Sequence, residues 1–265
     1  MNRVLNSLLF LLIGISAWGQ GSRAWSYPTT PIPAGSSTSC VASSYILRYD
    51  FEGSNPNSII DLSGNGYEGD FYGGNSETQG LVTSTSWSNS QSADLIDNTE
   101  MMFYESISYP DVFFVSLAFR KATSTDGTAF FTTYVTSSNG VSMDLDNDGG
   151  TWYLLATIGN GSSSVQLNST ALPADPGTSN WHTMAMLFDF TDDEIRFWYD
   201  GDPYGTASTT LNPSSTQSAR SGQFSQAYLD CIHILEITNS DEDVDDMNAM
   251  AESIHENTIT EYTCN

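Results

Sequence analysis

The stretch that most limits what this chain can fold into runs from Trp181 to Gly205. Met184, Met186 and Phe188 fall on one side of an extended backbone, and Ile195, Phe197 and Tyr199 repeat the pattern further on. A period of two marks strands with one apolar face. Between them, Phe190-Thr-Asp-Asp193 is short and polar enough to reverse the chain. Asp200-Gly201 supplies the positive φ angles of a tight hairpin. The segment therefore predicts two antiparallel strands and the start of a third.

Strand-like runs recur along the chain. They lie at Tyr45–Phe51, Met101–Tyr104, Asp111–Lys121, Phe130–Val135, Val141–Leu145, Trp152–Ile158, Val165–Leu167 and Ala227–Ile237, with Asp, Asn and Gly turns between many of them. One helix is expected, over Asp241–Ile254. Ser240 suits its N-cap, Asp241, Glu242 and Asp243 suit its positive end, and Val244, Met247, Met250, Ala251 and Ile254 form its apolar stripe. There is no internal repeat. At 265 residues, one large all-β domain accounts for the chain.

The N-terminus carries an address. Arg3, the apolar run Leu8–Ile15 and the small-x-small site Ala17-Trp-Gly19 make residues 1–19 a secretory signal peptide, with the mature chain starting at Gln20. That run is too short for a membrane-spanning helix, and no second one follows. Residues 20–44, rich in Ser, Thr, Pro and Gly, read as a linker or arm, and 45–265 as the folded domain. The expected location is extracellular or at the cell surface. A net charge of -25 with a single lysine, Lys121, excludes nucleic acid as a partner, since its phosphates would be repelled.

Several motifs carry a family resemblance. They are Tyr45-Ile-Leu-Arg-Tyr-Asp-Phe-Glu-Gly53 followed by Asp61-Leu-Ser-Gly-Asn-Gly66, then Trp181-His182 before an alternating strand, and Ile195-Arg-Phe-Trp-Tyr-Asp-Gly201. In these the chain resembles laminin-G-like, concanavalin-A-like jelly rolls. The resemblance implies a two-sheet antiparallel sandwich whose last strand, Ala227–Ile237, lies beside the first. It also implies a Cys231–Cys264 disulfide. Cys40–Cys264 is the rival pairing, and an odd cysteine such as Cys40 is left over to bond another copy.

The same fold houses glycan-active enzymes, so catalysis has to be considered. No Glu-x-Asp-x-x-Glu string occurs, Asp192-Asp193-Glu194 lies in a turn, and His182, His233 and His255 match no lyase pattern. No Gly-x-Ser-x-Gly is present for a nucleophilic serine. A non-enzyme is expected.

Calcium is the expected cofactor, as a structural ion. Asp144, Asp146 and Asp148 alternate before Gly149, a spacing that suits a calcium loop and equally a polar hairpin turn. The resemblance points to a second place, Asp230 of the last strand with Asp50 and Glu52 of the first. Zinc is excluded for want of a Cys/His cluster.

For glycan contact the candidates are Trp198 and Arg196, on the strand face opposite Ile195, Phe197 and Tyr199, and Trp152, Tyr153 and Tyr204 near loops. Asn160-Gly-Ser162 and Asn168-Ser-Thr170 are glycosylation sequons in a eukaryotic host. Together these features predict a secreted adhesion or recognition module for glycan or extracellular matrix. The alternative is a structural subunit of an extracellular assembly, joined through residues 20–44 or Cys40, and a glycan-active enzyme stands third.

Overall fold

The computed structural model describes residues 43–255, apart from 53–57, 73–79, 84–85, 88–90, 96–99, 108, 123–127, 134–138, 214–216, 222–226, 238–247, 249–250 and 253–254. The described residues form sixteen strands in two eight-stranded antiparallel sheets. Sheet A runs β14 (Asp202–Ser208), β13 (Glu194–Tyr199), β12 (His182–Asp189), β7 (Val112–Lys121), β16 (Ala227–Ile237), β5 (Ser92–Asp94) and β4 (Gly80–Val82), with β1 (Ser43–Tyr49) also paired to β16. Sheet B runs β11 (Ser164–Asn168), β10 (Thr151–Asn160), β9 (Asn139–Asp148), β8 (Thr128–Thr132), β15 (Gln217–Ser221), β6 (Glu100–Ile107), β3 (Gly69–Tyr72) and β2 (Ser58–Ile59). The expected all-β sandwich is present, and the first strand lies beside the last.

One core joins the inner faces of the two sheets. Met184, Met186, Phe188, Ile195 and Phe197 of sheet A meet Phe130, Phe131, Met143, Leu145 and Leu154 of sheet B. The β12–β13 hairpin supplies its inward residues at the period of two read from the sequence. Its turn is held by Asp189, whose Oδ1 accepts hydrogen bonds from Thr191 N (2.9 Å), Thr191 Oγ1 (2.6 Å) and Asp192 N (3.1 Å).

Asp61-x-Ser-Gly-Asn-Gly66 proves to be a knot on the back of β1. Asp61 Oδ1 accepts from Arg48 N (3.2 Å) and Ser63 N (2.9 Å), and Oδ2 from Ser63 Oγ (2.7 Å) and Tyr67 N (3.0 Å). Asn65 Nδ2 donates to the carbonyls of Tyr45 (2.9 Å) and Ile46 (3.0 Å). Each residue type in the motif thus satisfies backbone that the tight loop leaves unpaired.

A bulge shapes β16. Cys231 has a φ of 49°, and the register with β7 slips between Asp230 and His233. The added residue returns Ile232 and Ile234 to the core after Leu229. Asp230 and His233 consequently share the outer face.

Asn248, Ala251, Glu252 and His255 are helical; the rest of the helix expected over Asp241–Ile254 lies outside the described residues. Residues 1–42, with Cys40, and Cys264 also lie outside them, and with these the signal segment, most of the arm and the expected disulfide. Among the described residues no helix is long and apolar enough to cross a membrane.

Candidate functional site

Sugar sites need a reachable face, so the two outer faces decide where one can lie. On sheet A, Val112, Phe114, Ala185, Leu187, Trp198, Leu235 and Ile237 form a second apolar cluster with Ala251 of the helical segment. Trp198 does point away from the core, as its strand position requires, but it is not a glycan platform. It is 2% exposed, stands edge-on to Phe114 at 5.6 Å, and donates its Nε1–H to Asn248 Oδ1 at 2.7 Å. Arg196 is half-buried, and its guanidinium is taken by Glu194. The burial of Trp198 is a correction, and the reason is tertiary: a segment fifty residues on in sequence covers it.

That segment is clasped at the β13–β14 turn. His255 Nδ1 lies 3.1 Å from Thr183 Oγ1 and 3.7 Å from Asp200 Oδ1, and its ring lies against Trp87. Asp200 also accepts from Thr183 N (2.9 Å) and meets His182 Nδ1 (2.8 Å). His182 Nε2 contacts the Pro176 carbonyl at 2.9 Å, so both of its ring nitrogens are engaged in structure. Gly201 is needed twice over, for its φ of 83° and because a Cβ there would stand 3.1 Å from Glu252 Cα.

Trp152 is the next correction. It faces the core at 4% exposed, with Lys121 Nζ 3.6 Å from its ring centroid. Lys121 is itself buried and pairs with Asp175 at 3.4 Å. Tyr204 packs edge-on to Tyr199 at the sandwich rim, and its carbonyl accepts from Thr170 N (2.8 Å) and Oγ1 (2.9 Å).

Sheet B is different. Along β10, Trp152, Leu154, Ala156 and Ile158 are buried while Tyr153, Leu155 and Thr157 are half-exposed. Tyr153 lies opposite Asp146, Leu155 between Asp144 and Asn168, and Thr157 between Ser142 and Gln166. Val165 and Leu167 pack on the core, which turns Gln166 and Asn168 outward. One aromatic thus has a carboxylate opposite it and an amide, Asn168, two residues along, with Thr157 and Gln166 further up the same face, groups of the kind that sugar hydroxyls bond. Sequence reading found Tyr153, Asp144 and Asp146 separately. It missed Thr157, Gln166 and Asn168, because their alternation is visible but their register is not.

This face also reinterprets the calcium candidates. Asp144, Asp146 and Asp148 belong to β9, which turns into β10 through Gly149-Gly150. The polar hairpin is what forms. Successive outward carboxylates on a strand sit ~6.8 Å apart in backbone, too spread for three to converge on one ion. Asp144 accepts a 2.6 Å hydrogen bond from Ser142 Oγ. Burial pushes its carboxyl up to about 7 against that bond, with Asp146 adding to the rise.

At the second place, Asp230 is fully buried and turned to backbone, Oδ2 accepting from Trp87 N (2.9 Å) and Oδ1 from Cys231 N (2.8 Å). Glu52 Oε1 accepts from Gln91 N at 2.9 Å. Neither bond is made with Asp50. Among the described residues no group of three or more His, Cys, Asp or Glu is placed to hold a metal.

A further aromatic group lies at one corner of sheet A. Arg120 Cζ is 4.4 Å from the Tyr228 ring centroid and 6.0 Å from that of Trp181, all three side chains half-buried. Sequence reading singled out neither Arg120 nor Tyr228, and Trp181 only as part of Trp-His.

No family model matches the chain, and no curated protein matches it. Solved structures do. Domain 4 of AbnA, a GH43 extracellular arabinanase from Geobacillus stearothermophilus, in complex with arabinotriose, is similar at a TM-score of 0.57 and 14% identity, over 80% of this chain and 98% of that one. The binding domain of botulinum neurotoxin DC in complex with SialylT gives 0.52 and 12%, over 78% and 52%. Botulinum neurotoxin type C, which depends upon interaction with two ganglioside molecules to enter cells, gives 0.51 and 13%, over 80% and 51%. The chain spans about half the length of these neurotoxin chains. At such identities the likeness establishes the fold alone.

Proposed function

We propose that this chain is a secreted, non-catalytic carbohydrate-binding module that takes its sugar on the outer face of sheet B. One observation carries the reading. Tyr153 stands half-exposed opposite Asp146, with Asn168 two residues along the same face opposite Leu155. A ring to stack on a sugar's apolar side and flanking groups for its hydroxyls are what such a site requires. Neighbouring folds solved with arabinotriose and SialylT fit the same chemistry. Export from the cell, a place in the extracellular matrix and laminin-G-like membership belong to this proposal. Calcium stabilisation belongs to this proposal too.

The test is a glycan array that includes arabino-oligosaccharides, repeated with Tyr153→Ala. Wild-type binding that the variant loses is expected. A chain that binds no glycan, or a variant that binds as well as wild type, overturns the reading. N-terminal sequencing of exported material should begin at Gln20.

A second reading, glycoside hydrolysis, draws on the pair Asp144 and Asp146. Their strand spacing of ~6.8 Å falls within the span that hydrolase carboxylates occupy, roughly 5–9.5 Å. Asp144, pushed up to about 7, suits a general acid. Release of reducing ends that Asp144→Asn abolishes would favour it over the binding module.

A further inference from the structure

We propose that the corner of sheet A where Trp181, Arg120 and Tyr228 meet is a second binding site, specific for the carboxylate of an acidic sugar. It lies on the other sheet from Tyr153 and does not depend on the binding face proposed there.

Cations are scarce in this chain, with Lys+Arg 7 against Asp+Glu 32. An arginine without a carboxylate is therefore the anomaly. Lys121 pairs with Asp175 and Arg196 with Glu194, while Arg48 on β1 shares with Arg120 a buried Nε that lacks a hydrogen-bond partner. Arg120 has no such pair among the described residues. Its Nε is buried and has no hydrogen-bond partner, so the Nη groups of this half-buried side chain are the ones left to meet a ligand. The buried carboxylate nearby in register does not serve it: Asp230, opposite Ala118, is turned to the backbone of Trp87 and Cys231.

The rings explain why the guanidinium stays in place. Tyr228 is its register partner across the β7–β16 ladder, and Trp181 enters β12 immediately before His182, the partner of Phe119. Strand backbone thus fixes an aromatic on each side, and a guanidinium held over ring faces can still donate its terminal N–H groups. A planar fork held flat is pre-organised for a two-pronged bond to carboxylate. The half-exposed rings offer apolar surface to the sugar ring that bears it. A uronate-type saccharide combines the two parts.

The experiment is isothermal titration of the full chain with galacturonate oligosaccharides, and with the same oligosaccharides carboxyl-reduced to neutral sugars. The acidic form should bind at least about tenfold more tightly, and more weakly as salt rises. Arg120→Gln should lose that advantage. Arg120→Lys should recover only part of it, because a point charge lacks the fork. Tyr153→Ala should leave it unchanged. Acetate should compete. The proposal fails if the acidic oligosaccharides do not bind, if their reduced forms bind as tightly, if acetate does not compete, or if Arg120→Gln binds like wild type. The comparison of the two ligands on wild-type protein decides the matter even if a variant does not fold.

Discussion

The outer face of sheet A is packed with Val112, Phe114, Leu187, Trp198 and Leu235, whereas that of sheet B carries Asp144, Asp146, Tyr153 and Thr157. Both sheets face the same core, so the difference lies in what covers their backs. Ala251 and Asn248 lie on sheet A. The consequence can be read strand by strand. Nearly every residue of β7 and β12 is buried, while β10 alternates buried and half-exposed. A strand covered on both sides becomes apolar throughout, and a strand covered on one keeps its period of two. The covered back is part of the apolar packing, whereas Tyr153, Leu155 and Thr157 on the other back are half-exposed.

The largest expected effect attacks the covered face. Trp198→Ala removes a buried ring and its bond to Asn248, and should cost about 3–5 kcal/mol, measured by urea unfolding. A cost near that of a surface substitution would mean that sheet A is not covered in solution.

The two faces should also respond to pH with opposite signs. His233, on the sheet A side, is held neutral by burial and then by Arg48, its pKa lowered from 6.5 to about 3. The unfolded chain takes up the proton first as pH falls, so the stability present above 6.5 is lost towards 3. Asp144, on sheet B, is raised from 3.8 to about 7. There the folded chain takes the proton more readily, so its contribution is full below 3.8 and lost as pH rises through 7. Each is of order 2–4 kcal/mol, and in wild type they oppose one another over the shared range. Asp144→Asn should be more stable than wild type at about pH 8 and should keep only the acid-side loss. His233→Phe should keep only the loss on the alkaline side. Identical unfolding midpoints for all three proteins across the range would remove the distinction.

Smaller still, Asn248→Ala should cost about 1 kcal/mol, because Trp198 Nε1 then loses its acceptor. A neutral result would show that the helical segment is held by Ala251 and His255 without it. Smallest is the stability effect of Tyr153→Ala, expected within about 0.5 kcal/mol even as glycan binding is lost. A large loss of stability would make Tyr153 a packing residue and close the comparison.

The inward residues of β12 and β13 and the all-β class were legible because each follows from local alternation, and the pairing of the first and last strands came only as what the family resemblance implied. Asp61-Leu-Ser-Gly-Asn-Gly66 was legible as a motif although its hydrogen bonds were not. The short strands β2, β3, β4, β5 and β15 escaped notice, being too brief to show a period. The continuous apolar run Val112–Val115 already carried the sign of two-sided burial, and its counterpart Trp198 was still read as exposed. For the site, Tyr153 was legible as an aromatic and Asp144 and Asp146 as carboxylates. Their meeting was not, since register is set by turn lengths and partners along the whole sheet.

Sequence by itself therefore determined which side of each strand is apolar, because that depends only on alternation along the backbone. Tertiary structure alone decided which outward side chains meet water. Trp198 and Tyr153 are both outward aromatics, and a segment distant in the chain buries the one and leaves the other half-exposed. The same long-range placement set Arg120 between Trp181 and Tyr228, since contacts between remote strands arise from the packing of the whole sheet and not from any local pattern.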